Sequence, residues 1–550
     1  MDWGLIIGII SIIVTIAIGF YFGIKTLKSK VPPELQRDID KIKSQMEQVT
    51  LYLDGLPQTK DKNKKALFEK GISLMAEYKY EGAIDSFREL FALESDGSAK
   101  SALLLMIGNC FYAQNKWDSA LGSWKEALDA AEEANDERCQ AAALGNLGSV
   151  YQDKGEWDKA IEFYNNSLKI KVKIDDEHGI TQIFNNLGNV YQLKGEWDRA
   201  IEFYNKDLEI SRKIGDEYVI ATTFGNMGNV YRLKGEWDKA IDIYEKSLKI
   251  KEKIGDEHGM AQTFINLAIV YTQKAEWDKA IEFYNKSLKI DEKIGDEHGI
   301  AQTYGNLGIV YRMKGEWNKA IEFCDKSLKI DEKIGDNRGM AQTYGNMGNV
   351  YQLKGEWDKA IEFYNKDLEI SKKIGDEHGM AQTFNNLGLV YKDKGEWDKA
   401  IEFYNKDLEI SKKIGDEHGM AQTLNNLGLV YKDKGESDKT IEFYNKALKG
   451  LEKVGDEHGM AQTFNNLGLV YKDKGEWDKA IEFYKKSLKI KEKIGDEHGM
   501  AQTKGNIAVL YKTQGKKEEA KKIFEEILKI FEKMGDEPNA ERTRENLKDL

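Results

Sequence analysis

The chain has 550 residues but only four prolines, and none of them lies between Pro57 and Pro538. Proline breaks helix interiors and marks loops and edge strands, so this absence argues against a Pro-rich disordered chain, a β-sandwich or a multidomain enzyme. It favours helices throughout. The net charge is −12, and the chain therefore lacks the basic balance typical of nucleic-acid-binding proteins. The cysteines, Cys110, Cys139 and Cys324, are too scattered for a disulfide framework or a Cys-based metal site.

Residues 4–24 form an uncharged, apolar segment of 21 residues. At about 1.5 Å per residue, a helix of this length spans roughly 30 Å, which matches one bilayer core. A cleaved signal peptide is disfavoured because Asp2 is the only charged side chain before the segment and no small-residue cleavage site follows it. Basic residues cluster on the C-terminal side, so the positive-inside rule places the bulk of the chain in the cytoplasm. We therefore expect a single-pass cell-membrane protein with its anchor and basic flank in residues 1–30.

Residues 31–63 are predicted to form a short helix and a linker. Apolar residues at positions 35, 39, 42, 46, 49 and 53 alternate steps of four and three, the spacing of a heptad seam. This spacing predicts a coiled-coil-like helix that pairs two chains into a homodimer through residues 35–53. A helix that lies on the first repeat or on the membrane surface is an equally good interpretation.

A 40-residue period dominates the chain from about residue 140 onward. Residues 376–415 differ from residues 456–495 at five positions out of 40. Periods of 20 to 50 residues indicate solenoids or propellers. Within one copy, Asp376 is placed to cap a first helix that ends near Gly395, and a second helix begins near Trp397 and ends at Gly415. Neither helix can bury its apolar stripe alone, so we expect helical hairpins that stack side by side, with Gly388 allowing close approach.

This copy resembles the tetratricopeptide repeat (TPR). The residues that carry the resemblance are Leu387, Gly388, Tyr391, Gly395, Ala400 and Tyr404. The TPR is usually 34 residues long, and the longer copies here are similar to the 40-residue repeats of the LGN family and, less closely, of kinesin light chains. The resemblance implies an all-α, right-handed superhelical solenoid of about twelve hairpins over residues 64–537. One transmembrane helix would precede it, and a C-terminal capping helix would follow in residues 538–550.

A column of ten asparagines, one per repeat, is the most regular polar feature. Its members are Asn146, Asn186, Asn226, Asn266, Asn306, Asn346, Asn386, Asn426, Asn466 and Asn506. The superhelix of O-GlcNAc transferase has an asparagine ladder at the matching position, and this resemblance implies that the column holds an extended peptide. A carboxamide can both donate to and accept from one peptide unit. The alternative is that each asparagine bonds a neighbouring helix and only maintains the stack.

Five cations follow this ladder on the first helices and complete the predicted peptide-binding site. They are Arg232, Arg312, Lys392, Lys432 and Lys472. Such cations favour an acidic or C-terminal peptide, and a solvated surface is the alternative interpretation.

We expect no metal site, no cofactor and no catalysis. All histidines share one repeat register, between hairpins, and stacked hairpins hold equivalent positions on the order of 10 Å apart, whereas metal ligands lie within roughly 2 Å of one ion. The repeats contain no Gly-rich phosphate loop and no nucleophile elbow.

The sequence therefore predicts a membrane-tethered scaffold or adaptor whose cytoplasmic TPR groove binds extended segments of partner proteins. Two alternatives are a structural spacer or self-associating element, which near-identical copies favour, and an assembly or import receptor similar in layout to anchored TPR receptors of organelle membranes. We expect no nucleic-acid partner.

One copy departs from the repeat pattern. Ser437, Thr440 and Gly450 stand where other copies have Trp, Ala and Ile. Lost aromatic area and a glycine inside a helix are each destabilising by about 1 kcal/mol. These substitutions predict a soft joint at residues 437–450.

Overall fold

The computed structural model describes residues 62–550, so the predicted anchor (residues 4–24) and the predicted heptad helix (residues 35–53) lie outside the described residues. Residues 62–550 contain 25 α-helices and no strand. None of these helices combines the length and the hydropathy that crossing a membrane requires. They belong to two compact units, of which the first ends at Gly295 and the second begins at Asp296.

The first unit contains six helical hairpins. Its helices are α1 Lys62–Ala76, α2 Tyr80–Leu93, α3 Gly97–Ala113, α4 Trp117–Glu133, α5 Glu137–Asp153, α6 Trp157–Lys173, α7 Glu177–Leu193, α8 Trp197–Ile214, α9 Glu217–Leu233, α10 Trp237–Ile254, α11 Glu257–Gln273 and α12 Trp277–Ile294. In every pair the first helix is the odd-numbered one.

The second unit contains six more hairpins and a final single helix. Its helices are α13 Glu297–Met313, α14 Trp317–Ile334, α15 Asn337–Leu353, α16 Trp357–Ile374, α17 Glu377–Asp393, α18 Trp397–Ile414, α19 Glu417–Asp433, α20 Ser437–Val454, α21 Glu457–Asp473, α22 Trp477–Ile494, α23 Glu497–Thr513, α24 Lys517–Met534 and α25 Glu537–Lys548. The predicted all-α array of about twelve hairpins is thus confirmed within residues 62–550.

The hairpin of α17 and α18 shows how the sequence sets the helix ends. Asp376 is the N-cap of α17 and accepts a hydrogen bond from the backbone N–H of Gly379, at 2.9 Å. The chain turns at Gly395, with φ 75°, and α18 ends at Gly415, with φ 73°. A positive φ is unfavourable for residues with a Cβ, so glycine at these two positions fixes where each helix stops.

Within each unit, the core forms where the second helix of one hairpin packs against the first helix of the next. In the second unit, Tyr364 and Leu368 of α16 pack with Leu387 of α17. Within a hairpin the helices approach closely: a Cβ on Gly388 would lie 2.6 Å from the ring of Tyr404. The prediction that Gly388 permits this approach is therefore confirmed. At the end of the array, α25 places Ala540 in the same apolar cluster as residues of α24.

Candidate functional site

The ten ladder asparagines lie on the first helices of their hairpins, and all of them are partly exposed. Four of them donate an Nδ2 hydrogen bond to an asparagine of the preceding hairpin. These pairs are Asn146 with Asn109 (3.4 Å), Asn226 with Asn185 (3.2 Å), Asn426 with Asn385 (3.2 Å) and Asn506 with Asn465 (3.2 Å). In these four repeats the ladder helps to hold neighbouring hairpins together.

A second group of ladder asparagines is uncommitted. Asn186, Asn266, Asn346 and Asn386 make no side-chain hydrogen bond within the described part of the chain. These four asparagines lack a partner among the described residues because the preceding hairpin has a glycine, and so no side-chain acceptor, at the repeat position that Asn385 occupies in its own copy. These glycines are Gly145, Gly225, Gly305 and Gly345.

Asn306 and Asn466 also make no side-chain hydrogen bond within the described residues. The register of Asn385 holds Ile265 in the copy before Asn306, and in the copy before Asn466 it holds Asn425, whose Oδ1 accepts from Thr463 at 3.0 Å. An asparagine acceptor in the preceding hairpin is therefore needed for engagement but does not ensure it.

Buried tyrosines on the second helices determine what the polar residues next to the ladder bind. The sequence pattern does not identify these tyrosines as part of the site. Tyr204 donates a hydrogen bond to Asn189 Oδ1, and Tyr364 donates one to Asn349 Oδ1, both at 2.7 Å. Tyr364 also lies 3.2 Å from Gln352 Oε1. The polar residues that follow the ladder in these repeats thus bind the protein's own tyrosines.

The five predicted cations stand in the register of Gln352 and are partly buried. A lysine ammonium has no acceptor, and in the repeats of Lys392, Lys432 and Lys472 leucine replaces Asn349. Consequently, three tyrosine hydroxyls are buried without a hydrogen-bond partner within the described residues. They belong to Tyr404, Tyr444 and Tyr484. Burial raises the pKa of each of these phenols above its ordinary value.

Two polar residues, four positions apart, interrupt the apolar stripe of most second helices, and their types change from copy to copy. The pairs are Asp207 with Ser211, Asp367 with Ser371, Asp407 with Ser411, Ser167 with Lys171, Ser247 with Lys251, Ser487 with Lys491, Ser287 with Asp291 and Ser327 with Asp331. Asp407 accepts hydrogen bonds from Ser411 (2.8 Å), from Asn385 (2.9 Å) and from Thr423. Burial raises the pKa of the equivalent carboxyls of Asp207 and Asp367. These two positions are polar in most copies, but the residue types differ between copies. This pattern is the signal in the sequence that could have identified the pairs.

A groove of about 660 Å³ in the second unit brings the ladder and these polar pairs together. Its lining includes the ladder residues Asn306, Asn346 and Asn386 and the buried carboxylates of Asp331 and Asp367. Burial, together with the nearby carboxylate of Asp336, raises the pKa of Asp331 to about 6. A smaller groove of about 340 Å³ in the first unit includes the ladder residues Asn146 and Asn186.

Seven overlapping or consecutive segments match the family model of the tetratricopeptide repeat. They cover residues 98–173, 139–213, 179–253, 219–293, 299–373, 379–453 and 459–533. The chain belongs to the tetratricopeptide repeat family. TPR solenoids are typical protein–protein interaction scaffolds, and the family is generally non-catalytic.

Several solved structures are similar to the TPR array. BtubC (BKLC) from P. vanneervenii is 24% identical, and the match covers 42% of this chain and 92% of BtubC, with a TM-score of 0.36. Yeast Tom70 is 15% identical over 82% of this chain and 96% of Tom70, with a TM-score of 0.42. Aspartyl phosphate phosphatase F from Bacillus subtilis is 13% identical over 64% of this chain and 95% of the phosphatase, with a TM-score of 0.44. No curated protein matches the sequence.

The histidines of the TPR hairpins lie in the first turn of the first helices rather than in the loop between hairpins. His298 Nδ1 lies 3.2 Å from Asp336 Oδ2, and His498 Nε2 lies 2.8 Å from Asp536 Oδ2. These two histidines thus connect the start of one first helix to the N-cap residue of the corresponding helix that follows, α15 for His298 and α25 for His498. Residues 62–550 contain no group of three or more His, Cys, Asp or Glu side chains placed to hold a metal ion.

Proposed function

We propose that this TPR protein is a membrane-tethered scaffold that binds extended peptide segments of partner proteins along its asparagine ladder. The observation that carries this proposal is the uncommitted group of ladder asparagines. Asn186, Asn266, Asn346 and Asn386 are partly exposed and make no side-chain hydrogen bond within the described residues. A carboxamide in this state can still donate to and accept from a peptide unit of a partner.

The groove of the second unit supports the proposal that the bound segment is extended. Asn306, Asn346 and Asn386 line it and belong to consecutive hairpins. Equivalent positions of stacked hairpins lie on the order of 10 Å apart, and an extended chain rises about 3.3 Å per residue. One ladder asparagine would therefore meet about every third residue of the partner.

The first experiment is crosslinking of the full chain in native membranes, followed by identification and purification of the captured partner. The double variant Asn346→Ala/Asn386→Ala should then weaken binding of that partner roughly thirtyfold, since at least two hydrogen bonds of about 1 kcal/mol each are lost. Pull-down with quantitative titration measures the change, and helical circular dichroism verifies the fold.

The matched control is Asn226→Ala/Asn426→Ala, which removes the same side chain from two committed ladder positions. These asparagines already donate to the preceding hairpin, so we expect a smaller loss of binding and a lower unfolding temperature. If the variant Asn346→Ala/Asn386→Ala binds the partner as tightly as the unaltered chain does, the proposal is contradicted.

The tether, the localisation and the closer relationship are further parts of the proposal. The apolar segment over residues 4–24 and the basic residues after it support a single-pass anchor in the cell membrane with the array in the cytoplasm. The 40-residue period supports a relationship to the LGN and kinesin-light-chain type of repeat. A spacer or self-associating element is the second candidate, because residues 376–415 and 456–495 differ at only five positions.

A further inference from the structure

Several repeats bind one of their own lysines on the buried face of the second helix. In two of them the ammonium donates to the carbonyl of a first-turn glycine and to the hydroxyl of a threonine one turn later. The acceptors are Gly259 (3.2 Å) and Thr263 (3.0 Å) for Lys251, and Gly499 (3.1 Å) and Thr503 (2.9 Å) for Lys491. In a third repeat Lys171 Nζ lies 2.8 Å from the N-cap carboxylate of Asp176. The start of the following first helix thus acts as a receptor for an ammonium group.

The repeat that contains Asp331 keeps this receptor but has lost the lysine. Asp331 stands in the register of Lys251, and Gly339 and Thr343 stand 80 positions after the two acceptors of Lys251. The Asp331 side chain is buried, with 2% of the residue surface exposed, and it accepts a long hydrogen bond of 3.3 Å from Ser327. A site that other repeats fill with their own ammonium group here carries a carboxylate in its place, beside the Gly339 carbonyl and the hydroxyls of Ser327 and Thr343.

The neighbouring repeat places a second buried carboxylate, that of Asp367, in the same groove with one amide donor fewer than its counterpart Asp407. In the repeat of Asp407, Asn385 donates to the buried carboxylate at 2.9 Å. Opposite Asp367 the matching residue is Gly345, and a Cβ there would lie 3.1 Å from Asp367 Oδ2. Glycine therefore removes the amide donor, and within the described residues the Asp367 carboxylate keeps only the hydroxyl donors Ser371 (3.0 Å) and Thr383 (2.6 Å).

The charge of the groove favours a cationic ligand. Its carboxylates are Asp331, Asp336, Asp367 and Asp376, and its cationic or titratable nitrogen groups are Arg338, His298 and His378. His298 already pairs with Asp336 at 3.2 Å. Carboxylates therefore outnumber the guanidinium four to one, and a buried carboxylate without a counter-charge is unfavourable.

We propose that this groove binds a lysine side chain of a partner's extended peptide, with the ammonium held by Asp331, the Gly339 carbonyl and the Thr343 hydroxyl. Asp367 accepts a further N–H group from the same segment. Lysine fits better than arginine, because the equivalent receptor in two other repeats holds a compact ammonium rather than a planar guanidinium. The inference rests on the proposed function, since the ladder asparagines of the same groove would hold the peptide backbone.

The probe for the test is a fluorescein-labelled, N-acetylated decapeptide of alternating lysine and serine. It is titrated with the full chain and followed by fluorescence anisotropy. Asp331→Lys restores the lysine of the other repeats, so the receptor fills itself and the variant should fold as those repeats do. We expect its affinity for the probe to fall about tenfold or more, because charge-assisted hydrogen bonds are lost. Gly345→Asn, which supplies Asp367 with the amide donor that Asn385 gives Asp407, should also weaken binding.

Glu332→Lys is the matched control. It makes the same change of charge one position away, at an exposed residue where other repeats carry Lys372 and Lys412. Because exposed charges contribute little, affinity should stay within about twofold. A probe whose lysines are acetylated should not bind.

Three outcomes would overturn the lysine site. They are unchanged binding by Asp331→Lys, an equal loss with Glu332→Lys, and spermidine that binds as tightly as the peptide, since the occupant would then be a free polyamine. The variant Asn346→Ala/Asn386→Ala separates the two proposals. If it binds the probe normally while Asp331→Lys does not, the lysine site stands and the ladder proposal fails; the reverse result rejects the lysine site alone.

Discussion

Tyr364 and Tyr404 occupy the same register in consecutive hairpins, but their hydroxyls are in different states. Tyr364 donates to Asn349 at 2.7 Å. The hydroxyl of Tyr404 is buried without a partner among the described residues, since Leu389 replaces the asparagine. A paired hydroxyl contributes about 1 kcal/mol to stability, whereas a buried unpaired one is destabilising by about 1 to 3 kcal/mol. The same residue type therefore has opposite effects in two neighbouring copies.

Replacing these two tyrosines by phenylalanine should change local stability in opposite directions. Tyr364→Phe removes a hydrogen bond and should lower the free energy of opening of its hairpin by about 1 kcal/mol, whereas Tyr404→Phe should raise it by a similar amount. Hydrogen exchange of α15 to α18 in the full chain, read by mass spectrometry, measures each hairpin separately. A change of the same sign in both variants would contradict this interpretation.

At the scale of the element, the start and stop signals of a helix could be predicted from local sequence, but the buried polar pairs could not. Asp376 and Gly415 act through backbone geometry within a few residues, which sequence alone makes visible. Asp407 is buried because Asn385 and Thr423 donate to it from other helices. A periodicity argument assigns such a carboxylate to solvent, since it contains no information about these partners.

The asparagine ladder shows the same limit. Its residues and their register could be predicted from the repeat, but not which of them are engaged. Asn426 donates to Asn385 of the preceding hairpin, whereas Asn386 faces the register of Gly345 and has no such acceptor. That distinction depends on how two hairpins pack, and it becomes visible only when their side chains are placed together.

The irregular helix α20 should exchange its amide hydrogens faster than α18. Ser437 stands at the repeat position of Trp397, and Gly450 stands at that of Ile410. Trp397 is 37% exposed, so the loss of tryptophan removes only part of a buried side chain, whereas glycine inside a helix is destabilising by about 1 kcal/mol. We expect exchange about fivefold faster in α20, measured by mass spectrometry on the full chain.

The double variant Ser437→Trp/Gly450→Ile is the control for α20, since it restores both residues of the regular repeat. It should return exchange in α20 to the rate of α18. If the two helices already exchange equally in the unaltered chain, the predicted soft joint is wrong.

At the scale of the whole molecule, the sequence separates an apolar segment with a basic flank from an acidic repeat array. Residues 4–24 carry no charged side chain, whereas the complete chain has a net charge of −12. An anionic membrane surface attracts the basic flank and repels an acidic array. This division of charge supports the proposed tether, which would hold the acidic array away from lipid.

The tether can be tested on the full chain expressed in a bacterial host. We expect the chain to remain with membranes after a carbonate wash, and Ile10→Lys/Val14→Lys to shift it to the soluble fraction, because each charge near the centre of a span is unfavourable by roughly 3 kcal/mol. The matched control is Glu332→Lys/Glu492→Lys, which places two lysines at exposed positions of the array. It should leave the fraction of chain in the membrane pellet unchanged. Protease added outside spheroplasts should spare the array if it lies in the cytoplasm. If the double lysine variant still sediments with washed membranes, residues 4–24 are not the anchor.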